Sequence, residues 1–161
     1  MPIEPSEIKY YRSADGSSIG GAITAVEVTS AANTLFDAVA GVEADDGDTE
    51  YRCIYLKNSN PTLPFLLPRV FIKTNTPSTY TTAEIGLGVS DIDGVEPSIA
   101  DESTAPEGVV FSTASGYANG WVIPTLLPGQ HKAVWIKRVV DSNARAYNAD
   151  SVIISATGGT S

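Results

Sequence analysis

Two strand-grade runs limit what this chain can become more than any other part of it. The first is Asp48-Thr49-Glu50-Tyr51-Arg52-Cys53-Ile54-Tyr55-Leu56-Lys57, which stops abruptly at the turn formers Asn58-Ser59-Asn60. The second is Lys132-Ala133-Val134-Trp135-Ile136-Lys137-Arg138-Val139-Val140, entered from Pro128-Gly129-Gln130. Aromatic and β-branched side chains suit the pleated, packed surface of a sheet better than a helix. Both runs are therefore expected as central strands of a β-sandwich. They supply structure and no recognisable chemistry.

The rest of the chain agrees with an all-β reading. Residues 1–6 hold two prolines and little apolar content, which predicts a mobile arm or a tether lying on a neighbour. Strands are expected at residues 7–12, 22–29, 50–57, 69–74, 81–90, 108–112, 120–126, 132–140 and 151–156. In the last, Val152, Ile154 and Ala156 share one face. Residues 30–39, with Leu35, Phe36 and Val39, are the one segment where a short helical turn fits. Asp45-Asp46-Gly47-Asp48 reads as an acidic turn, and a long acidic loop runs from Asp91 to Glu107. Many short strands with turn signals between them predict a single antiparallel β-sandwich or jelly-roll-like domain over residues 7–158, with at most one short helix and a tail at 159–161.

At 161 residues the chain can bury a sizeable core without disulfide staples. Its single Cys53 excludes an intramolecular disulfide and, lying in an apolar run, reads as a small buried hydrophobe. No apolar run approaches the roughly 20 residues of a membrane helix, and no basic-then-apolar start marks a signal peptide, so a soluble chain without a membrane partner is expected. The formal charge of −9 arises from 19 acidic against 10 basic side chains, with no Lys or Arg between Thr74 and His131. Such a surface repels phosphate backbones, which argues against direct nucleic-acid binding.

Candidate chemistry is thin. Gly16-Ser17-Ser18-Ile19-Gly20 matches G-x-S-x-G literally, but it lies in a Gly/Ser-rich loop before a β-like run, where hydrolases need a strand-to-helix elbow. The only histidine, His131, sits at a strand start with nothing to place it beside Ser18. Asp91-Ile92-Asp93-Gly94 with Glu96 is a fragment of a calcium loop lacking the further fixed ligands, and reads as an exposed turn. One Cys and one His cannot build the usual zinc site. No catalytic residue, metal or cofactor is expected. Trp121 and Trp135, flanked by apolar residues, read as core rather than as a sugar platform, while Tyr10, Tyr11, Tyr80, Tyr117 and Tyr147 are candidates for lining an interface. Leu63-Pro64-Phe65-Leu66-Leu67-Pro68 either caps the end of the sandwich or docks onto another subunit, its prolines lowering the entropy cost of docking. Ile3, Leu63, Phe65, Leu66, Leu67 and Tyr117 are the candidate interface residues.

Several stretches resemble small structural proteins from the virions of tailed bacteriophages. They are Gly47-Asp48-Thr49-Glu50-Tyr51-Arg52-Cys53 through Lys57-Asn58, Val70-Phe71-Ile72-Lys73-Thr74-Asn75-Thr76-Pro77-Ser78, Thr104-Ala105-Pro106-Glu107-Gly108-Val109-Val110-Phe111-Ser112 and Leu127-Pro128-Gly129-Gln130-His131-Lys132-Ala133-Val134-Trp135, ending at Ala146-Tyr147-Asn148-Ala149-Asp150-Ser151. The likeness spans residues 47–151, and none of its motifs is catalytic. It implies a head decoration (cement) protein with a sandwich or jelly-roll fold, made in the host bacterial cytoplasm and placed on the outer head surface. Its partners would be the major capsid protein or other virion proteins, and it would assemble as a trimer or dimer. A tail or baseplate accessory protein and a carbohydrate- or receptor-binding sandwich module are the alternatives. The proline-fenced leucine loop departs from the short polar turn expected of such proteins.

Overall fold

A computed structural model describes residues 2–14, 17–31, 34–147 and 150–160. In chain order the elements are β1 (Ile8–Ser13), β2 (Ile23–Glu27), the helix α1 (Gly41–Asp46), β3 (Asp48–Asn58), β4 (Leu66–Thr74), β5 (Thr81–Leu87), β6 (Trp121–Val122), β7 (His131–Val140) and β8 (Ile153–Gly159). Single 3-10 turns occupy Pro5–Glu7 and Tyr117–Asn119. The strands form a five-stranded sheet in the order β2-β1-β3-β7-β5 and a three-stranded sheet in the order β6-β4-β8. Every strand ladder is antiparallel. The fold is an all-β antiparallel sandwich with one short α-helix, and no helix is long and apolar enough to cross a membrane.

The two runs that open the sequence argument are neighbours at the middle of the larger sheet, paired without interruption from Asp48↔Val140 to Lys57↔His131. Side chains alternate across a strand. Ile54 and Leu56 of β3, with Val134 and Ile136 of β7, therefore face the three-stranded sheet and join Val70, Ile72, Ile85 and Leu126 in the main core. Val152, Ile154 and Ala156 pack on this core together, as the alternation in the sequence requires. Tyr51, Cys53, Tyr55, Ala133 and Trp135 point the other way, into a second cluster covered by Ile23, Ile99, Val109 and Phe111. Thus β3 and β7 are buried on both faces, which explains their nearly continuous apolar composition.

The cover over the second cluster is the stretch between β5 and β6, read from the sequence as a solvated acidic loop. It contains no strand, and the strand expected at 108–112 is reduced to one bridge. There Ile85 N donates to Ser112 O at 2.8 Å and Ser112 N donates to Ile85 O at 3.1 Å. Apolar side chains at Ile99, Val109 and Phe111 hold the loop down, with Tyr51 and Phe111 rings 5.4 Å apart.

Three further expectations change. Residues 30–39 form no helix among their described members (Ala32 and Asn33 lie outside the described residues). Instead the Phe36 ring lies under the guanidinium groups of Arg52 and Arg138, at 5.2 and 4.9 Å. The carbonyl oxygens of Leu35 and Asp37 accept from the same two arginines, at 3.1 and 2.7 Å. Carbonyls committed to guanidinium donors are lost to a helical ladder. The helix forms just beyond, in the acidic stretch, where Ala40 N donates to the Glu43 carboxylate at 2.6 Å and Gly47, at φ 82°, ends it. At the N-terminus, residues 2–6 are not a free arm: Ile3 packs on the main core, and Glu7 O accepts from Ser59 N at 2.7 Å. At the other end the tail is shorter than expected, because β8 continues to Gly159, which pairs with Leu66.

The join between sheet and covering loop leaves no room at Gly88. A Cβ there would lie 2.6 Å from both Ala133 Cβ and Glu96 Oε2, whereas one at Gly41 meets nothing within 4 Å. Gly88→Ala is therefore expected to lower unfolding free energy by about 1–3 kcal/mol through overpacking. Gly41→Ala should stay within about 1 kcal/mol of the parent. Denaturant midpoints of the two variants measure the contrast, and equal midpoints would contradict it.

Candidate functional site

One candidate surface for recognising a partner is the outer face of the three-stranded sheet. Val70 and Ile72 of β4 turn into the core, so Arg69, Phe71 and Lys73 face outward. By the same alternation Val122 of β6 and Ile153 of β8 face outward, beside Trp121 and Ile154, which pack inward. Leu67 is 63% exposed, Tyr117 51%, Ile153 50% and Val122 46%, so four large apolar side chains meet solvent on this side. Tyr117 is fixed by an edge contact to Phe71, centroids 6.2 Å apart, and by the Arg69 guanidinium 5.3 Å from its ring centroid. Arg69 in turn donates to Ala118 O at 3.0 Å. Arg69 and Lys73 are the only charged residues in β4, β6 and β8. In a chain of formal charge −9, this face is apolar and positive.

Leu67 is held there at a backbone cost. Its φ is 38°, in the left-handed region that a leucine rarely occupies, and the β4–β8 register shifts between Leu66 and Arg69. The bulge turns Leu67 outward while its N–H donates to Thr125 Oγ1 at 3.2 Å. Neighbouring candidates from the same loop go elsewhere. Phe65 is 4% exposed and belongs to the main core, bridged to Leu126 in both directions at 2.8 and 3.0 Å, so it is not a surface residue. Ile3 packs on that core, and Leu63 and Leu66 are half-buried, Leu63 O accepting from Asn58 Nδ2 at 2.9 Å. The leucine loop thus both caps the sandwich and leaves Leu67 outside. Leu67 and Tyr117 are exposed, Ile3 and Phe65 pack on the main core, and Leu63 and Leu66 are half-buried outside it, Leu66 lying beside Gly159 of β8. Val122 and Ile153 were missed, although alternation about Trp121 and Ile154 marks both as outward.

The catalytic candidates are not brought together. Ser18 is fully buried, its Oγ accepting from Arg12 Nε at 2.9 Å and its carbonyl from Cys53 N at 2.5 Å; Gly16 of the same motif lies outside the described residues. His131 pairs with Lys57, four residues along β3 from Cys53, which separates the two by about 13 Å of strand. The imidazole instead meets Asp93 Oδ1 at 3.1 Å and the Tyr55 ring edge-on at 5.1 Å. Its burial lowers the pKa below the ordinary value, with Lys57 adding to the effect and Asp93 opposing it. A cleft of about 670 Å³ borders Phe36, Asp37, Tyr80, Arg138 and Tyr147, but its Asp37 and Arg138 face each other at 3.6 Å.

Two buried carboxylates carry the electrostatics. Glu96, read from the sequence as part of an exposed acidic turn, is 1% exposed. Its Oε1 accepts from Val89 N and Trp135 Nε1, each at 2.9 Å, and its Oε2 from Ser90 N at 2.8 Å. Burial pushes its pKa up, but the hydrogen bonds from Ser90, Trp135 and Val89 outweigh that and hold it below the ordinary carboxylate value. Its backbone N–H donates to the Tyr55 hydroxyl at 2.9 Å, and that hydroxyl donates to Gly21 O at 2.5 Å. The Asp91–Gly94 segment is then a simple turn, Gly94 N donating to Asp91 O at 3.0 Å.

Glu50, also 1% exposed, lies between Arg138, with which it makes a charged hydrogen bond, and Arg52 at 3.4 Å. Burial pushes its pKa up against the pull of both guanidinium groups. Oxygens of Asp37, Glu50 and Glu102 lie within 4.8 Å of one another, the spacing of a cation site. Arg52 already faces Asp37 at 3.8 Å and Glu102 at 2.5 Å. Two guanidinium groups among three carboxylates satisfy the site without an ion.

No family model, curated protein or solved structure matches the chain.

The Glu96 linkage has a defined sign. A carboxylate whose folded pKa lies below its unfolded value contributes stability above the unfolded pKa, near 4.3 for a glutamate. That contribution is lost as pH falls through the folded pKa. Glu96→Gln is therefore expected to cost about 1–3 kcal/mol at neutral pH, because a neutral amide replaces a charged acceptor of buried donors. Denaturation of parent and variant along a pH series should show the gap closing on acidification. A gap that stays constant would mean the carboxylate charge contributes nothing.

Proposed function

We propose that this chain is a non-enzymatic structural protein of a phage virion. It decorates the capsid shell by binding across major capsid protein subunits through the outer face of its small sheet. The observation that carries this reading is the pairing of a rigid sandwich with an exposed face bearing Leu67, Tyr117, Val122 and Ile153 and charged only by Arg69 and Lys73. Apolar side chains left in water on one face, one of them at an unfavourable φ, point to a docking role. The sequence resemblance to virion proteins supplies the kind of partner. The two basic side chains fit an acidic or neutral capsid patch, and the acidic loops are left toward solvent. A weak contact repeated over a lattice gains strength by avidity.

A tail or baseplate accessory would use the same face at low copy number, so stoichiometry separates it from a decoration protein. The sugar-binding alternative needs a solvent-facing aromatic platform. Trp135 is fully buried and Trp121 Nε1 is committed to Ile85 O at 2.8 Å, which disfavours it.

Quantitative mass spectrometry and cryo-electron microscopy of purified virions test the proposal. The expected result is a copy number that follows the capsid lattice, with density on the outer head. A single ring of copies at the tail would overturn decoration in favour of the accessory role, and absence from the particle would overturn both. Within that frame, Leu67→Asp and Val122→Asp should leave the thermal midpoint nearly unchanged, because both side chains are solvated in the free protein. Each should weaken particle binding by roughly tenfold or more, since one buried apolar side chain contributes about 1.5–3 kcal/mol.

A further inference from the structure

We propose that β8 is an open sheet edge through which two copies of this chain pair, antiparallel and about a twofold axis. The inference concerns self-association and holds whether or not the chain is a virion component. An edge strand presents unpaired N–H and C=O groups, and proteins ordinarily blunt such edges with charge, proline, bulges, brevity or a covering loop. The other edges here are guarded. The outer side of β5 is bridged by Ser112. β2 carries Glu27, which meets Lys9 Nζ at 3.2 Å, and its register slips between Tyr11 and Ser13. β6 has only two residues.

β8 itself lacks these devices: both register shifts in its ladder, between Leu66 and Arg69 and between Ile72 and Thr74, place the extra residue on β4. It is seven residues long and ends its sheet, with β4 on one side. From Ser151 to Thr160 there is no charged residue and no proline. Among the described residues, no backbone hydrogen bond reaches β8 from its far side.

The occupant that fits is a second β8. Two molecules of charge −9 repel, and an uncharged edge on the small sheet, whose only charges are basic, is where they approach at least cost. The centre of the strand, Ser155-Ala156-Thr157, is small enough for close backbone approach. Antiparallel pairing of a strand with its own copy is isologous, so it closes at two molecules and leaves no β8 edge open. Centred on Ala156, it sets Thr157 of one copy opposite Ser155 of the other. It also joins the two small sheets into one, so that the outer faces carrying Leu67 and Tyr117 become a single doubled surface.

Sedimentation equilibrium of the full chain, from micromolar to near-millimolar, tests this. The parent is expected to dimerise. Ser155→Lys/Thr157→Lys places lysines directly opposite each other twice, and should weaken the dimer roughly tenfold or more. Ser155→Glu/Thr157→Lys places opposite charges at the same positions and should restore it. Both variants change residues on the outer side of β8, and a thermal melt of each checks that the monomer fold is kept. Should either fail to fold, hydrogen exchange on the parent decides. β8 amides gaining protection with concentration support the pairing, and amides indifferent to it refute it. A parent that is monomeric throughout, as when the edge serves an extended segment of another protein, overturns the proposal. So does a dimer indifferent to both charge patterns.

Discussion

The fold depends on one constraint: β3 and β7 are apolar on both faces and both faces must be covered. Removing Trp135, Tyr55 or Ile54 from water is strongly favourable, and leaving either side of the pair open would expose a contiguous apolar patch. One face is closed by the small sheet. The other has no sheet to meet it and is closed by an irregular loop instead. Much of what is unusual in the molecule follows from that substitution.

A ladder satisfies its own backbone groups, whereas an irregular cover does not. Side chains therefore complete the hydrogen bonding where the loop meets the sheet. Glu96 takes the N–H groups of Val89 and Ser90 and the Trp135 indole. Lys132, itself buried, donates to the carbonyls of Gly88 and Ser90. Arg52 and Arg138 perform the same service for Leu35 and Asp37 at the opposite end of the sheet. Buried charge of this kind contributes little net stability when complete and is costly when broken. Its effect is to allow one arrangement of each loop and to penalise others.

Much of this was legible in the sequence, and the division is physical. The β3 and β7 runs, the burial of Cys53 and Trp135, and the shared face of Val152, Ile154 and Ala156 follow from local composition and alternation, which act over a few residues. The covering loop was not legible, because Ile99, Val109 and Phe111 are spaced by no regular period and their partners lie on distant strands. Glu96 looks like any acidic turn residue until Trp135 is placed above it. The apolar Leu35 and Phe36 make residues 30–39 the expected place for a helical turn, one segment before α1 at Gly41–Asp46. Those residues are instead drawn to Arg52 and Arg138, contacts that sequence spacing does not encode. The outer-face residues Val122 and Ile153 were within reach of alternation, whereas the outward turn of Leu67 depends on a bulge that no local pattern announces.

The two sheets are consequently unequal in what they leave for recognition. The larger sheet spends both faces of its central strands on the interior, and its loops carry most of the chain's acidic residues. The small sheet spends one face, keeps the other in water, and ends in β8, a strand without charge or proline. That sheet carries no acidic residue, and Tyr117 is clamped by Phe71 and Arg69 so that little order remains to be imposed on binding. Stability and contact are thus assigned to different layers. Substitutions on the outer face can change what the protein meets while leaving β3 and β7 covered, and substitutions around Glu96 can loosen the cover while leaving that face intact. The face and the edge are contiguous along β8, so closing the edge against a second copy would double the face without disturbing either core.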